Sequence, residues 1–190
     1  MGRPAACASL FDAAHPRPFG QLAGRQRGLE AAEVKNEDDA DHRLAALGIE
    51  LPTVSVPRGN YVPVAHTGAY LFVSGQGPRW NGELRYAGRV GTDLSVADGQ
   101  EAAKLCALNI VSHLANACAG DLSRIARVVR VAGVVQSGPD FAEHATVLNG
   151  ASDLFVEIFG ERGKHARIAT GASSLPSRMA VEVEAIFEIS

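Results

Sequence analysis

Residues 178–189, "RMAVEVEAIFEI", read as a β-strand, and their alternation decides what kind of sheet the chain builds. Successive side chains of a strand point to opposite faces. Met179, Val181, Val183, Ala185, Phe187 and Ile189 fall on one face. Ala180, Glu182, Glu184, Ile186 and Glu188 fall on the other. The first face must be covered by helices or a second sheet, because its apolar area is too costly to leave in water. The face with three glutamates is either solvated, or turned to a subunit interface or a polar site.

Working upstream, "RIARVVRVAGVVQS" (124–137) is a β-branched run, expected to form a long strand. "NYVPVAHTGAYLFVSGQGP" (60–78) holds two β-rich runs, about 61–66 and 70–74, joined through Thr67-Gly68-Ala69 as a hairpin. A short strand near 83–86 follows the Asn81-Gly82 turn signal. Another is expected at about 166–171, before the last strand at about 179–188.

The cover for the sheet is also in the sequence. In "SVADGQEAAKLCALNIVSHLANACAG" (95–120), Ser95 is the expected cap and Gly120 the end. Leu105, Leu108, Val111 and Leu114 recur between them at helical spacing. "PDFAEHATVLNGASDLFVEIFGERG" (139–163) reads as a second helix, with Pro139 near its first turn and Gly160 and Gly163 at its end. Gly150 interrupts that helix, which predicts a bend or a separate first turn. Asp38 or Asp39 caps a shorter helix ending near Leu47-Gly48. The expected class is therefore α/β (α+β): one mixed β-sheet with two helices packed on one face.

Bulk composition narrows the function. The 190 residues are 46% hydrophobic and 21% charged with a formal net charge of −3, an ordinary balance for one globular domain with a tail. That charge argues against nucleic acid as a partner, since phosphate contacts need a concentrated basic surface. No apolar run is long enough to span a bilayer. Cys106 and Cys118 lie on one helix, so no disulfide joins them; with Cys7 the cysteines are odd in number, and a reduced, cytoplasmic compartment is the simpler account. The histidines are scattered, so no metal site is expected. Residues 1–28 carry Arg3, Arg17, Arg25 and Arg27 against a single acid, Asp12. They suit a transit peptide or a disordered tail, and the tail is the reading taken here. The expected organisation is a disordered extension over residues 1–36 and a folded domain over 37–190.

One residue stands out in "GKHARIATGASSLP" (163–176). Arg167 sits near the start of an extended, largely apolar stretch, where a guanidinium is either solvated or held at a cleft for a planar anion.

Taken together, "NYVPVAHTGAYLFVSGQGP", "AAKLCALNIVSHL", "ARVVRVAGVVQSGPDFA" and "HARIATGASSLPSRMAVEVEAIFEI" resemble the RidA family, also called YjgF or L-PSP endoribonuclease-like, over roughly residues 54–190. With "NGASDLFVEIFGE" and "RLAALGIELP" the chain looks similar to a less characterised branch of it. The resemblance implies a chorismate-mutase-like fold and a homotrimer with clefts between subunits. It implies cofactor-free hydrolysis of enamines and imines, such as 2-aminoacrylate, to 2-oxo acids and ammonia.

By the same resemblance, Arg167 holds the substrate carboxylate, Tyr61 enters the cleft from the neighbouring subunit, and Ser74, Gly75 and Gln76 border it. Glu182 helps to position water. The chain departs from the family at Ala169, where its deaminases carry a cysteine, and at Thr170 and Gly171, where Val and Glu are usual. On a strand Ala169 shares the face of His165, Arg167 and Gly171.

Plainer readings stand beside several of these. Tyr61 suits a half-buried strand aromatic, and Glu182 an exposed face like Glu184 and Glu188. Ser74 and Gln76 suit turn positions, and His165 a surface residue. Asn149 and Ser152 suit residues that cap or bend their helix, and Asn109 a side chain bonded to buried backbone. Arg124, Arg127 and Arg130 suit a solvated sheet edge without a shared face. The function expected first is an enamine/imine deaminase; the alternatives are a non-catalytic trimer binding small carboxylates and, third, an endoribonuclease.

Overall fold

The computed structural model describes residues 39–54, 56–57 and 59–190. The extension expected over residues 1–36, Cys7 and Asp38 lie outside them. Helix α1 (Ala40–Ala46) is capped by the Asp39 carboxylate, which accepts from the Asp41 amide. It ends beside Gly48, whose φ of +62° suits glycine.

Strands β1 (Val64–Thr67) and β2 (Tyr70–Gln76) form the expected hairpin. The first begins three residues later than the sequence suggests. Pro63 has no N–H to give to a ladder, so pairing starts at Val64 and Tyr61 is left in the lead-in. The expected strand at 83–86 is β4 (Glu83–Leu84), which pairs with β3 (Arg79–Trp80) outside the main sheet. Asn81 and Gly82 join them, both at positive φ, as a two-residue hairpin turn requires.

Helix α2 (Val96–Ala117) opens with a capping box, the Ser95 side chain accepting from the Asp98 amide while the Asp98 carboxylate accepts from the Ser95 amide. Strand β5 (Ile125–Gln136) follows, then α3 (His144–Phe159), β6 (Ala166–Ala172) and β7 (Val181–Ile189). Two expectations for α3 are corrected. Pro139 opens a turn closed by the Phe141 amide on Gly138 O at 3.3 Å, so the helix starts only at His144. Gly150 does not interrupt it; a Cβ there would collide with the backbone carbonyl of Gln100, so the residue is the point where α3 crosses α2.

The sheet order is β1-β2-β7-β5-β6. Only β5 and β6 run parallel, which makes the sheet mixed as expected. Helices α2 and α3 cover one face. Val181, Val183, Ala185 and Phe187 are buried beneath them with Val128, Val131 and Val135 of β5. Phe155 meets Phe187 edge-on at 5.7 Å between ring centroids.

The second face is open and carries Tyr70, Phe72 and Ile168 at 39%, 42% and 49% exposure. There Arg127 binds Glu188 at 2.7 Å and Arg130 binds Glu184 at 3.2 Å. This corrects the edge reading of these arginines. Strand β5 is internal, and irregular register between Val128 and Arg130 turns both side chains to the same face. Cys106 and Cys118 are free and buried. No helix among the described residues is long and apolar enough to cross a membrane.

Candidate functional site

Arg167 lies near the start of β6, an edge strand, opposite the buried Val131 of β5. Registered neighbours share a face, so its side chain leaves the sheet on the helix side. There Arg167 Nη1 donates to Asn149 Oδ1 at 2.8 Å and Ser152 Oγ at 3.0 Å. Asn149 and Ser152 are three apart on α3 and so share one helix face. Ser152 Oγ also lies 3.1 Å from His165 Nε2, while His165 Nδ1 lies 2.6 Å from Gly163 O. His165 is therefore a half-buried anchor, not the surface residue expected; burial is the main influence lowering its pKa.

Both contacts of Arg167 use one nitrogen. Among the described residues its Nη2 and Nε make no hydrogen bond and no carboxylate pairs with it. An exposed guanidinium braced at one corner is set to receive a carboxylate along its open edge. Sequence reasoning took Asn149 and Ser152 for cap or bend residues. Their contact with Arg167 depends on how α3 lies against β6, which the local sequence does not mark.

The other candidate residues gather elsewhere. Tyr61, Gly75, Gln76 and Glu182 line one cavity of about 620 Å³, with Arg79, His113 and Met179 among its other walls. Gly75 is needed here because a Cβ on it would fall on Glu182 Oε1. Ser74 stands at the border, its hydroxyl donating to Val62 O at 2.8 Å. Gln76 Nε2 donates to Ser74 O at 3.0 Å. Ser177 and Arg178 are both at positive φ, 55° and 58°, backbone that is strained for side-chain-bearing residues. They lead the chain into Met179, whose Sδ would be 2.6 Å from a Cβ on Gly77.

Glu182 belongs to the open face of β7, but it is half-buried, unlike the exposed Glu184. Burial, and secondly the Glu184 carboxylate, raise its pKa from the ordinary value. Its carboxyl is thereby suited to passing a proton to and fro.

One chain does not bring the two groups together. Glu182 and Thr170 flank Val134 of β5 on the open face, whereas Arg167 and Ala169 point to the helix side of β6. Arg167 and Ala169 are not among the walls of the Glu182 cavity. A second cavity, of about 390 Å³, lies further along β6 and is lined by Arg89, His144 and Gly171 among others. Among the described residues no group of three or more His, Cys, Asp or Glu side chains is placed to hold a metal ion.

The model of the family described as "YjgF/chorismate mutase-like, putative endoribonuclease" matches residues 41–187. The chain belongs to this family. A curated relative, Protein TCP17 of Trypanosoma cruzi, is 45% identical over 148 residues, covering 77% of this chain and 92% of that protein. Atu1372 of Agrobacterium tumefaciens, a protein of unknown function, superposes with a TM-score of 0.74 at 46% identity, over 80% of this chain and 92% of that one. A protein of Shewanella oneidensis MR-1 described as a "putative endoribonuclease" gives a TM-score of 0.77 at 40% identity, over 80% and 99% of the two chains. The mixed sheet under two helices is thus the YjgF fold, as the sequence resemblance implied.

Proposed function

We propose that this YjgF-family chain hydrolyses small 2-imino acids and their enamine tautomers to 2-oxo acids and ammonia, in clefts formed between copies of the chain. The observation that carries this reading is Arg167, a guanidinium braced by Asn149 and Ser152 with two nitrogens that make no hydrogen bond among the described residues. It binds the substrate carboxylate bidentately. Glu182, on the opposite sheet face, then comes from a neighbouring copy, together with Tyr61, Gly75 and Gln76.

The proposed step uses water and the Glu182 carboxyl. Protonation of the enamine carbon gives the iminium. Water adds to the C=N carbon as its proton passes to the Glu182 carboxylate. The proton returns to nitrogen; the hydroxyl proton then passes to the Glu182 carboxylate as C=O forms and the C–N bond breaks, ammonia leaves, and that proton replaces the one given to the enamine carbon. Holding substrate and water together supplies most of the acceleration, and a carboxyl of raised pKa serves these transfers.

A homotrimer is part of the proposal. The uncovered apolar side chains Tyr70, Phe72 and Ile168 support burial of the open face by other copies. Ala169 favours a second reading, a trimer that binds small carboxylates without turnover, because no thiol stands beside Arg167. An endoribonuclease, the description attached to the Shewanella protein, has less support. The open-face arginines are neutralised by Glu184 and Glu188, and the chain is acidic overall.

The test is release of 2-oxo acid from imines generated in situ by an amino-acid oxidase. Wild type should exceed buffer, and Arg167→Ala should lose most of that gain while Arg167→Lys recovers only part. Wild type equal to buffer, with 2-oxo acids still bound through Arg167, would favour the binding module.

A further inference from the structure

Helix α2 is apolar where it meets the sheet, with exceptions that share a face. Asn109 and His113 are four residues apart, and both are buried, at 4% and 2% exposure. Asn109 is satisfied: its Nδ2 donates to Arg79 O at 2.7 Å and Leu105 O at 2.8 Å. His113 is buried as a residue and has no hydrogen-bond partner among the described residues, yet its ring nitrogens are not among the fully enclosed unpaired atoms, so they meet open space. A buried polar group left unpaired costs on the order of 1–3 kcal/mol, so such groups are paired with protein, water or ligand. Among the described residues, the imidazole forms part of the wall of the Glu182 cavity.

The cavity offers more room than the smallest substrates need. Its volume of about 620 Å³ lies within the range of roughly 300–1,000 Å³ found for pockets that take drug-sized ligands. The three-carbon 2-aminoacrylate has only a few non-hydrogen atoms. Val56, Pro57, Tyr61, Pro63 and Met179 give the cavity apolar walls, and His113 gives it a polar contact.

We propose that His113 is a specificity residue: the cavity takes the side chain of the 2-imino acid, and the buried imidazole hydrogen-bonds a neutral polar group at that side chain's far end. This rests on the reading of Arg167 and Glu182 given above and extends it to a substrate class. The class is 2-imino acids whose side chains have an apolar body and a hydroxyl or amide tip. Burial lowers the pKa of His113, which favours the neutral ring. A neutral imidazole offers one donor and one acceptor, which matches an uncharged tip.

The experiment compares kcat/KM for the imines of tyrosine and phenylalanine, which differ by one hydroxyl, in wild type, His113→Leu and His113→Gln. It is paired with calorimetric binding of the corresponding products, 4-hydroxyphenylpyruvate and phenylpyruvate. A site built around a hydrogen bond penalises the analogue lacking it, so wild type should favour the hydroxylated member by roughly tenfold or more. His113→Leu should bring that ratio to about one or reverse it, and His113→Gln, which keeps a donor and an acceptor, should restore part of it. Circular dichroism identifies a variant that does not fold, in which case the Gln variant and the wild-type ratio carry the test. Equal handling of both members by wild type, or an unchanged ratio in His113→Leu, overturns the proposal and leaves His113 bonded to water. If no imine is turned over, the deaminase reading fails; the binding ratio then decides the role of His113 separately.

Discussion

Gly75 lacks a side chain where Glu182 needs the room. A Cβ at 75 would fall on Glu182 Oε1, and a carboxylate tip yields more readily than backbone. Gly75→Ala is therefore expected to fold and to displace the carboxyl. The displacement should lower kcat roughly ten- to a hundredfold with a smaller change in KM, since small misplacements of a catalytic group are that costly. Steady-state kinetics on one imine checks it.

Glu182 also makes a pH prediction. Burial and Glu184 raise its pKa above the ordinary value of 4.5. The folded chain thus holds this proton more tightly than the unfolded chain. Its contribution to stability is full below the ordinary value and is lost as pH rises through the raised one. Glu182→Gln should have a Tm close to wild type near pH 4 and a higher one at pH 7, while losing activity. Thermal melts across that range would contradict the account if the difference were flat. The family resemblance, rather than the residues alone, led to "SGQ" and Glu182 being expected at a cleft, and Gly75, Gln76 and Glu182 line one cavity. The partners of Arg167 were not legible, because contacts between Asn149 or Ser152 and a strand beyond α3 depend on how that helix lies. His113 was equally hidden, since a histidine in an apolar run looks the same whether its ring meets protein or a cavity.

Among the elements, helix α3 shows what periodicity leaves open. The sequence marks Gly150 as a break, yet α3 runs through it and uses the missing side chain to approach α2. A propensity cost near 1 kcal/mol is outweighed when the glycine permits close packing. Gly150→Ala should consequently destabilise the chain by about 1–3 kcal/mol despite the better helix former, because the opposing Gln100 carbonyl is backbone that side-chain rotation cannot move. Urea denaturation reads this directly, and a neutral or stabilising result would contradict the crossing. Strand order was the other hidden feature. The β5 run was legible as a strand, but its place between β7 and β6 follows from pairing over long sequence separations. Hence Arg127 and Arg130, plausible edge residues in one dimension, face Glu188 and Glu184 across internal strands.

At the scale of the whole molecule, the two halves of the proposed site point away from each other. Arg167 leaves the sheet toward α3, and Glu182 belongs to the open face two strands away. Among the described residues of one chain Arg167 does not line the Glu182 cavity, so on this account activity and assembly should be inseparable. The most direct measurement mixes two inactive variants, Arg167→Ala and Glu182→Gln, after dissociating and reassembling them together. In a cyclic assembly each cleft would draw its arginine from one copy and its glutamate from the next. Random mixing then restores about a quarter of the clefts to wild-type composition. The account predicts imine hydrolysis at roughly that fraction of the wild-type rate, with mixed trimers visible by native mass spectrometry. Mixed trimers that form and remain as inactive as either parent, beside an active wild type, would contradict it.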